Sequence, residues 1–244
     1  AGYEVINLKN QKCMELNESF FHKAKFKKPF IRAKVAMSSD HKSVFTSKQR
    51  KWITGIPARN DVQTLRAEAD IILTGSGTIN EDSPSMNVRA KKIIANKNFS
   101  QPARYVFSND LKLDWTAPFF KLPGQKVVVT SKKNLPKLPL VINDISVMHL
   151  KNKNFISPKD FVKKISKLNI NNILIEAGPR LLGSFGDCNL IDEYIFYISQ
   201  EKLGDKALYF YGGSKELNFF DSKLFDIVEE KIIGKDKKII LRKK

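Results

Sequence analysis

The sequence predicts an α/β domain: a mixed, mostly parallel sheet with helices on both faces and a C-terminal antiparallel hairpin. Three observations carry that prediction. Short apolar runs rich in Ile, Val and Leu alternate with amphipathic helical stretches. Two of those runs, Asp70-Ile-Ile-Leu-Thr-Gly75 and Asn172-Ile-Leu-Ile-Glu-Ala-Gly178, close on a glycine, as strands do before a tight turn into a helix. Near the end, Phe225–Ile233 and Lys237–Leu241 are separated only by Gly234-Lys-Asp, which reads as a hairpin.

The elements follow in order. Residues Cys13 to Phe26 are expected to form one amphipathic helix, with Met14, Leu16, Phe20, Phe21 and Ala24 on a broad apolar face and His22 as a surface or packing residue. Pro29 opens a first strand running to Ser38, and Ser38-Ser-Asp-His41 is the turn that ends it. Pro57 to Ala69 reads as a helix capped by Thr54 or Gly55, with Ala58, Val62, Leu65 and Ala69 at helical spacing. The strand Asp70–Gly75 comes next, followed by a long polar loop from Gly75 to Arg89. Further strands are expected at Arg104–Ser108, Lys126–Ser131, Ser146–Leu150 and Ile191–Ser199, and a helix at Pro158–Leu168 capped by Ser157. Between the last two lies Asn172–Phe185, where a buried strand turns at Gly178-Pro179 into a helix.

Composition narrows the function classes. The chain has 244 residues, 42% of them hydrophobic, enough for a sizeable core, and no apolar run of about 18 residues that would span a membrane. No signal peptide is visible, and Cys13 and Cys188 suggest neither a disulfide framework nor a metal knuckle, so a reducing cytoplasm is the expected setting. Net charge is +18, yet only eight of the 43 basic residues are Arg, and no nucleic-acid-binding motif accompanies them. A specific nucleic-acid partner is therefore not expected. The start Ala1-Gly2-Tyr3-Glu4, without Met, reads either as a trimmed chain or as a piece of a longer polypeptide.

Familiar catalytic motifs are missing: no H-E-x-x-H, G-x-S-x-G, P-loop or G-x-G-x-x-G occurs, and no metal site is expected. What remains is polar residues at three strand ends, Ser38 and Asp40, then Thr78, Asp82 and Arg89, then Glu176 and Gly178. If those strands are neighbours, one cleft holds all three groups, with Arg66 and Arg89 as phosphate clamps. The plainer alternative pairs Arg66 with Glu68 or Asp70 and leaves Asp82-Ser-Pro84 as a turn. Without a nucleophile or metal, difficult chemistry falls to a cofactor, and hydride transfer fits such a cleft.

These blocks carry a family resemblance. Ile31-Arg-Ala-Lys-Val-Ala-Met-Ser-Ser-Asp40, Trp52-Ile-Thr-Gly55 with Ala58-Arg-Asn-Asp-Val-Gln-Thr-Leu-Arg66, Asp70–Gly75, Thr78 through Asp82-Ser-Pro-Ser-Met-Asn-Val-Arg89, Ile175-Glu-Ala-Gly-Pro179 and Leu190-Ile-Asp-Glu193 stand in the order of the reductase domain of the bifunctional riboflavin-biosynthesis deaminase–reductase, which the chain resembles. The resemblance implies a dihydrofolate-reductase-like fold, with residues 1–28 as linker and helix and 29–244 as one reductase domain. It implies NADPH as hydride donor and reduction of the ribosyl group of 5-amino-6-(5-phosphoribosylamino)uracil, a phosphorylated pyrimidine, to a ribityl chain.

By matching position, Ala36, Trp52, Thr78, Asp82 and the turn Gly178, Pro179, Arg180, Leu181, Leu182, Gly183, Ser184 and Phe185 are expected to contact NADPH. Arg50, Arg66, Met86, Arg89 and Glu176 are expected to hold the substrate, with Glu176 and Asp82 as the candidate catalytic carboxylates. Three departures stand out: His41 where the family usually has Gly, Arg50 for Ser, and Arg180 for Thr. The deaminase half, with its His-x-Glu and Pro-Cys-x-x-Cys, is absent from these residues, which leaves two readings open: an excised reductase half whose deaminase domain lies outside this chain, or the product of a gene that lost that partner. The family also implies a homo-oligomer, with Leu203–Tyr211 as its interface. Two other functions remain open: an NADPH reductase of the same fold acting on another pterin- or pyrimidine-like compound, and a non-catalytic cationic binding module.

Overall fold

Pro29 opens the strand Phe30–Met37 (β1), whose alternate residues Ile31, Ala33, Val35 and Met37 enter one apolar cluster while Arg32, Lys34 and Ala36 face the other way. The computed structural model describes residues 10–44, 52–131, 145–151, 155–214, 218–219 and 221–244. Before β1, Gln11–Leu16 (α1) and Glu18–Phe26 (α2) replace the single predicted helix. The break falls at Asn17, whose φ of −113° leaves the helical region and whose amide Nδ2 donates to Cys13 O at 3.0 Å. Met14, Leu16, Phe20 and Phe21 are exposed rather than packed on the domain.

After β1 come Lys42–Val44 (β2), Ile56–Ala67 (α3), Ile71–Gly75 (β3), Ser76–Asp82 (α4), Lys91–Ile94 (α5), Ala103–Phe107 (β4), Pro118–Lys121 (α6) and Lys126–Thr130 (β5). Then follow Ile145–His149 (β6), Pro158–Ile165 (α7), Asn172–Ile175 (β7), Pro179–Asp187 (α8), Glu193–Ile198 (β8), Leu208–Tyr209 (β9), Phe225–Ile233 (β10) and Asp236–Lys243 (β11). The predicted loop after Gly75 is partly helical. Ile79 decides this, because one turn of helix buries it fully against the sheet. The short helices α5 and α6 and the small β2–β9 pair have too little periodicity to be read from sequence.

Among the described residues, the main sheet runs β10-β11-β8-β1-β7-β3-β4-β5-β6. From β8 to β6 every neighbour is parallel, and β11 and β10 add an antiparallel edge. This is the expected mixed sheet with a terminal hairpin. Strand β7 inserts between β1 and β3, so the C-terminal ends of β1, β7 and β3 lie side by side. That is where ligands of open α/β sheets bind.

Helices cover both faces. Phe161 of α7 and Leu182 and Phe185 of α8 pack on the face that holds Ile31, Ile173 and Tyr105. Ala58, Val62 and Leu65 of α3 cover the other, over Ile72, Val106, Leu174 and Ile195. The hairpin turn anchors the start of α3: Asp236 Oδ2 accepts from the Gly55 N–H at 2.7 Å.

Helix α8 approaches the 212–213 backbone so closely that a Cβ on Gly183 would sit 2.2 Å from Gly213 N. Gly183→Ala is therefore expected to destabilise the fold by about 1–3 kcal/mol in urea unfolding, even though Ala favours helix. Unchanged stability would mean that this contact is looser than described.

Candidate active site

Glu176 follows β7 directly and is still held in the sheet, its N–H donating to Leu73 O at 2.9 Å. The register that pairs Ala33 and Leu73 with Ile175 puts Lys34, Glu176 and Thr74 side by side one step further on. Glu176 and Lys34 both point to the α3 side. From α3, Arg66 grips the carboxylate with two bonds, Nε to Oε1 at 2.6 Å and Nη2 to Oε2 at 2.9 Å. Lys34 Nζ lies 3.3 Å from Oε2. The three side chains are 11%, 4% and 20% exposed for Arg66, Glu176 and Lys34.

Two cations around one carboxylate settle its charge. Burial alone would raise the Glu176 pKa, but Arg66 and then Lys34 outweigh it and hold the carboxyl down at about 2. Glu176 is therefore an anion throughout the physiological range. Arg66 has a further partner: its Nη1 donates to Asn87 O at 3.1 Å, tying the post-α4 loop to the carboxylate. This corrects the plainer sequence-based expectation for Arg66. It pairs with neither Glu68, which binds Arg32, nor Asp70, whose carboxylate accepts the N–H groups of Asn171 and Asn172. Its guanidinium engages Glu176 through Nε and Nη2 and the loop through Nη1, three of its five N–H donors.

The other expected residues are distributed as follows. Met86 is buried, with a φ of +46°, in the loop gripped by Arg66. Arg89 is exposed, its Nη1 donating to Ser85 Oγ at 2.7 Å. Asp82 is the exposed last residue of α4, and Ala36 is half-buried on the same face of β1 as Lys34. Trp52 is 58% exposed, with the Arg59 guanidinium 4.6 Å from its ring. Arg50 lies outside the described residues. Asp40 is used structurally, accepting from Leu203 N, Gly204 N and Ser38 Oγ. His41 adopts the left-handed φ of +61° that glycine would take more easily.

The start of α8 has the features of a phosphate cradle. Gly178 is extended, no side chain caps the helix, and Arg180 is exposed in its first turn. Space over Gly178 is open: a Cβ built there would have only Thr78 Oγ1 within 4 Å, at 3.9 Å. Beside Glu176, the Thr74 hydroxyl is buried and has no hydrogen-bond partner among the described residues. A pyrophosphate-bearing dinucleotide fits this donor set. Leu182, Gly183 and Phe185 are on the buried side of α8, which leaves Gly178, Pro179, Arg180, Leu181 and Ser184 nearer the open side.

A family model described as "RibD C-terminal domain" matches residues 29–230. The chain belongs to the RibD C-terminal domain family. It is similar to the riboflavin biosynthesis protein RibD of Haemophilus influenzae, 31% identical over 98% of this chain and 65% of that protein, so it spans just under two thirds of that relative. It is also 31% identical to a 5-amino-6-(5-phosphoribosylamino)uracil reductase of Buchnera aphidicola subsp. Acyrthosiphon pisum, over 80% of this chain and 96% of that one. Among solved structures, RibD of Acinetobacter baumannii superposes with a TM-score of 0.79 at 28% identity, over 95% of this chain and 62% of that one. Among the described residues, no helix is long and apolar enough to cross a membrane.

Lys34 is the site residue that sequence reasoning missed. Its signal was present: a lysine inside a buried strand whose other face is wholly apolar needs an anion nearby. The pKa shift of Glu176 gives a pH test. Its ordinary value is 4.5 and its folded value about 2, so its stabilising contribution is complete above pH 4.5 and is lost as pH falls toward 2. Between about pH 5 and pH 2, urea unfolding of the native chain should lose roughly 2–3 kcal/mol more than that of Glu176→Gln. Parallel pH profiles would contradict the described pairing.

Proposed function

We propose that this chain reduces the ribosyl group of 5-amino-6-(5-phosphoribosylamino)uracil to the ribityl group, with NADPH as the reductant. The observation that carries this reading is the Arg66–Glu176–Lys34 cluster, placed at the parallel strand ends beside the open, glycine-led start of α8. The similarity to a Buchnera protein of that name along nearly its whole length supports the same reaction here.

NADPH, when bound, supplies the hydride. The first turn of α8, with Gly178 and Arg180, would receive its pyrophosphate, and Thr78 borders that space. Ala36, Trp52 and Asp82 are the remaining proposed cofactor contacts. Arg89 is the proposed partner of the substrate's 5-phosphate, since Arg66 is already bound to Glu176.

Reduction of the ring-opened, imine-like sugar needs a hydride at C1 and a proton at the attached nitrogen. The Lys34 ammonium is the proposed proton source. Glu176 orients it, with Nζ 3.3 Å from Oε2, and Arg66 in turn fixes Glu176. Glu176, an obligate anion here, acts as an acceptor for sugar hydroxyls and stabilises positive charge at the imine.

The test is NADPH oxidation by the purified chain with this substrate, with dihydrofolate as comparison. Turnover is expected with the phosphoribosylamino-pyrimidine alone. Glu176→Gln and Lys34→Met should each lower kcat by about 10²-fold or more, with NADPH affinity changed by less than about threefold. Tight NADPH binding with no turnover of this substrate would overturn the substrate assignment.

A further inference from the structure

The loop between α4 and α5 is built at a cost. Ser83 and Met86 both have left-handed backbones, with φ of +43° and +46°, and neither is glycine. Each such residue is strained by about 1 kcal/mol or more, and persists only where surroundings over-determine it. Those surroundings are side chains that bond to the loop's backbone rather than to its side chains. Gln101 takes Val88 at both ends, Nε2 to Val88 O and Val88 N to Oε1, each at 2.9 Å. Gln63 Oε1 accepts from Arg89 N at 2.7 Å.

A further hold comes from Arg104 at the start of β4. It is 1% exposed, and among the described residues no carboxylate lies within ion-pair distance. Its guanidinium donates instead to carbonyls: Ser85 at 3.3 Å, Leu122 at 2.6 Å and Pro123 at 2.8 Å. The Phe119 ring lies 5.5 Å away. Burial pulls its pKa down to about 10, which still leaves it charged. A buried guanidinium without a counter-ion is a poor way to stabilise a core, where an apolar side chain would serve better. What it does achieve is to tie two backbone segments, at Ser85 and at Leu122–Pro123, to the start of β4.

Ser85 is the joint. Its carbonyl is held by Arg104 and its hydroxyl accepts from Arg89 Nη1. We infer that Gln101 and Arg104 are positioning residues for substrate specificity: they hold residues 83–89 in a preformed arc so that Arg89 meets the substrate's phosphate without a further ordering cost. This rests on the function proposed above, with Arg89 as the phosphate partner.

Gln101→Leu removes both bonds to Val88 with little change of volume, and Arg104→Lys keeps the charge but loses the forked geometry. The kinetic test uses the phosphorylated substrate and its dephosphorylated analogue. In either variant, KM for the phosphorylated substrate should rise about tenfold while kcat/KM for the analogue changes by less than about threefold. In an Arg89→Ala background, Gln101→Leu should have no further effect on that KM. A merely structural role would depress both substrates alike, in either background, and would overturn the inference.

Hydrogen exchange at 83–89 in the free protein provides a readout that needs no substrate. It should accelerate at least about tenfold in Gln101→Leu, with global unfolding unaltered at other core amides. If the native chain fails to turn the substrate over, the functional reading falls. Exchange then decides the hold on the loop by itself, and unchanged rates in both variants refute it.

Discussion

Arg66 and Glu176 meet as a forked, doubly hydrogen-bonded pair almost wholly removed from water, and much of the domain is arranged around that contact. It joins three parts of the chain that the topology brings together: α3, the tip of β7, and, through Asn87 O, the loop after α4. Breaking one partner of such a pair strands the other charge in a medium that cannot solvate it, which typically costs about 3–5 kcal/mol. Lys34 adds a second cation from β1. The central strands are thus fixed to each other by their ladder and to α3 by charge.

The two faces of the sheet are held by different means. On the α7–α8 face the contacts are apolar and aromatic, with Phe161 edge-on to Phe107 and Phe185, which are tilted against each other. Under α3 the apolar cluster is interrupted by ions. Arg32 pairs with Glu68, and Lys238 and the Tyr197 hydroxyl both bond to Asp61 at 2.8 and 2.5 Å. Buried polar contacts of this type contribute little net stability but penalise any shift in register. Precision is needed on that side, because Lys34 and Glu176 project there. The greasy face needs only to hold α8 so that its open first turn stays at the sheet edge.

Much of this was legible in the sequence. Pro29 and the Ser38-Ser-Asp-His41 turn bounded β1, and the glycine-terminated runs located β3 and β7, because strands buried on both faces leave strong apolar runs. The Gly234-Lys-Asp break located the hairpin, where Gly234 does take a φ of +64°. Long-range pairing was not legible. Whether Arg66 met Glu68, Asp70 or Glu176 depends on β7 inserting between β1 and β3, which no local pattern encodes. Lys34 was passed over for the same reason, since its anion is 142 positions away in sequence. The left-handed conformations of Ser83, the C-cap of α4, and Met86 also escaped, because neither residue is a glycine that would announce a positive φ. At His41 the signal came from the family resemblance, since the position where a glycine is usual takes a φ of +61° here.

The most direct test of the central contact is a double-mutant cycle between Arg66→Met and Glu176→Gln, followed by urea unfolding at neutral pH. A buried forked pair predicts strong non-additivity, with a coupling energy of about 2–3 kcal/mol and a double variant more stable than the single effects would sum to. Additive effects would contradict it, and would mean that Arg66 and Glu176 act independently, leaving the site without the constraint that orders it.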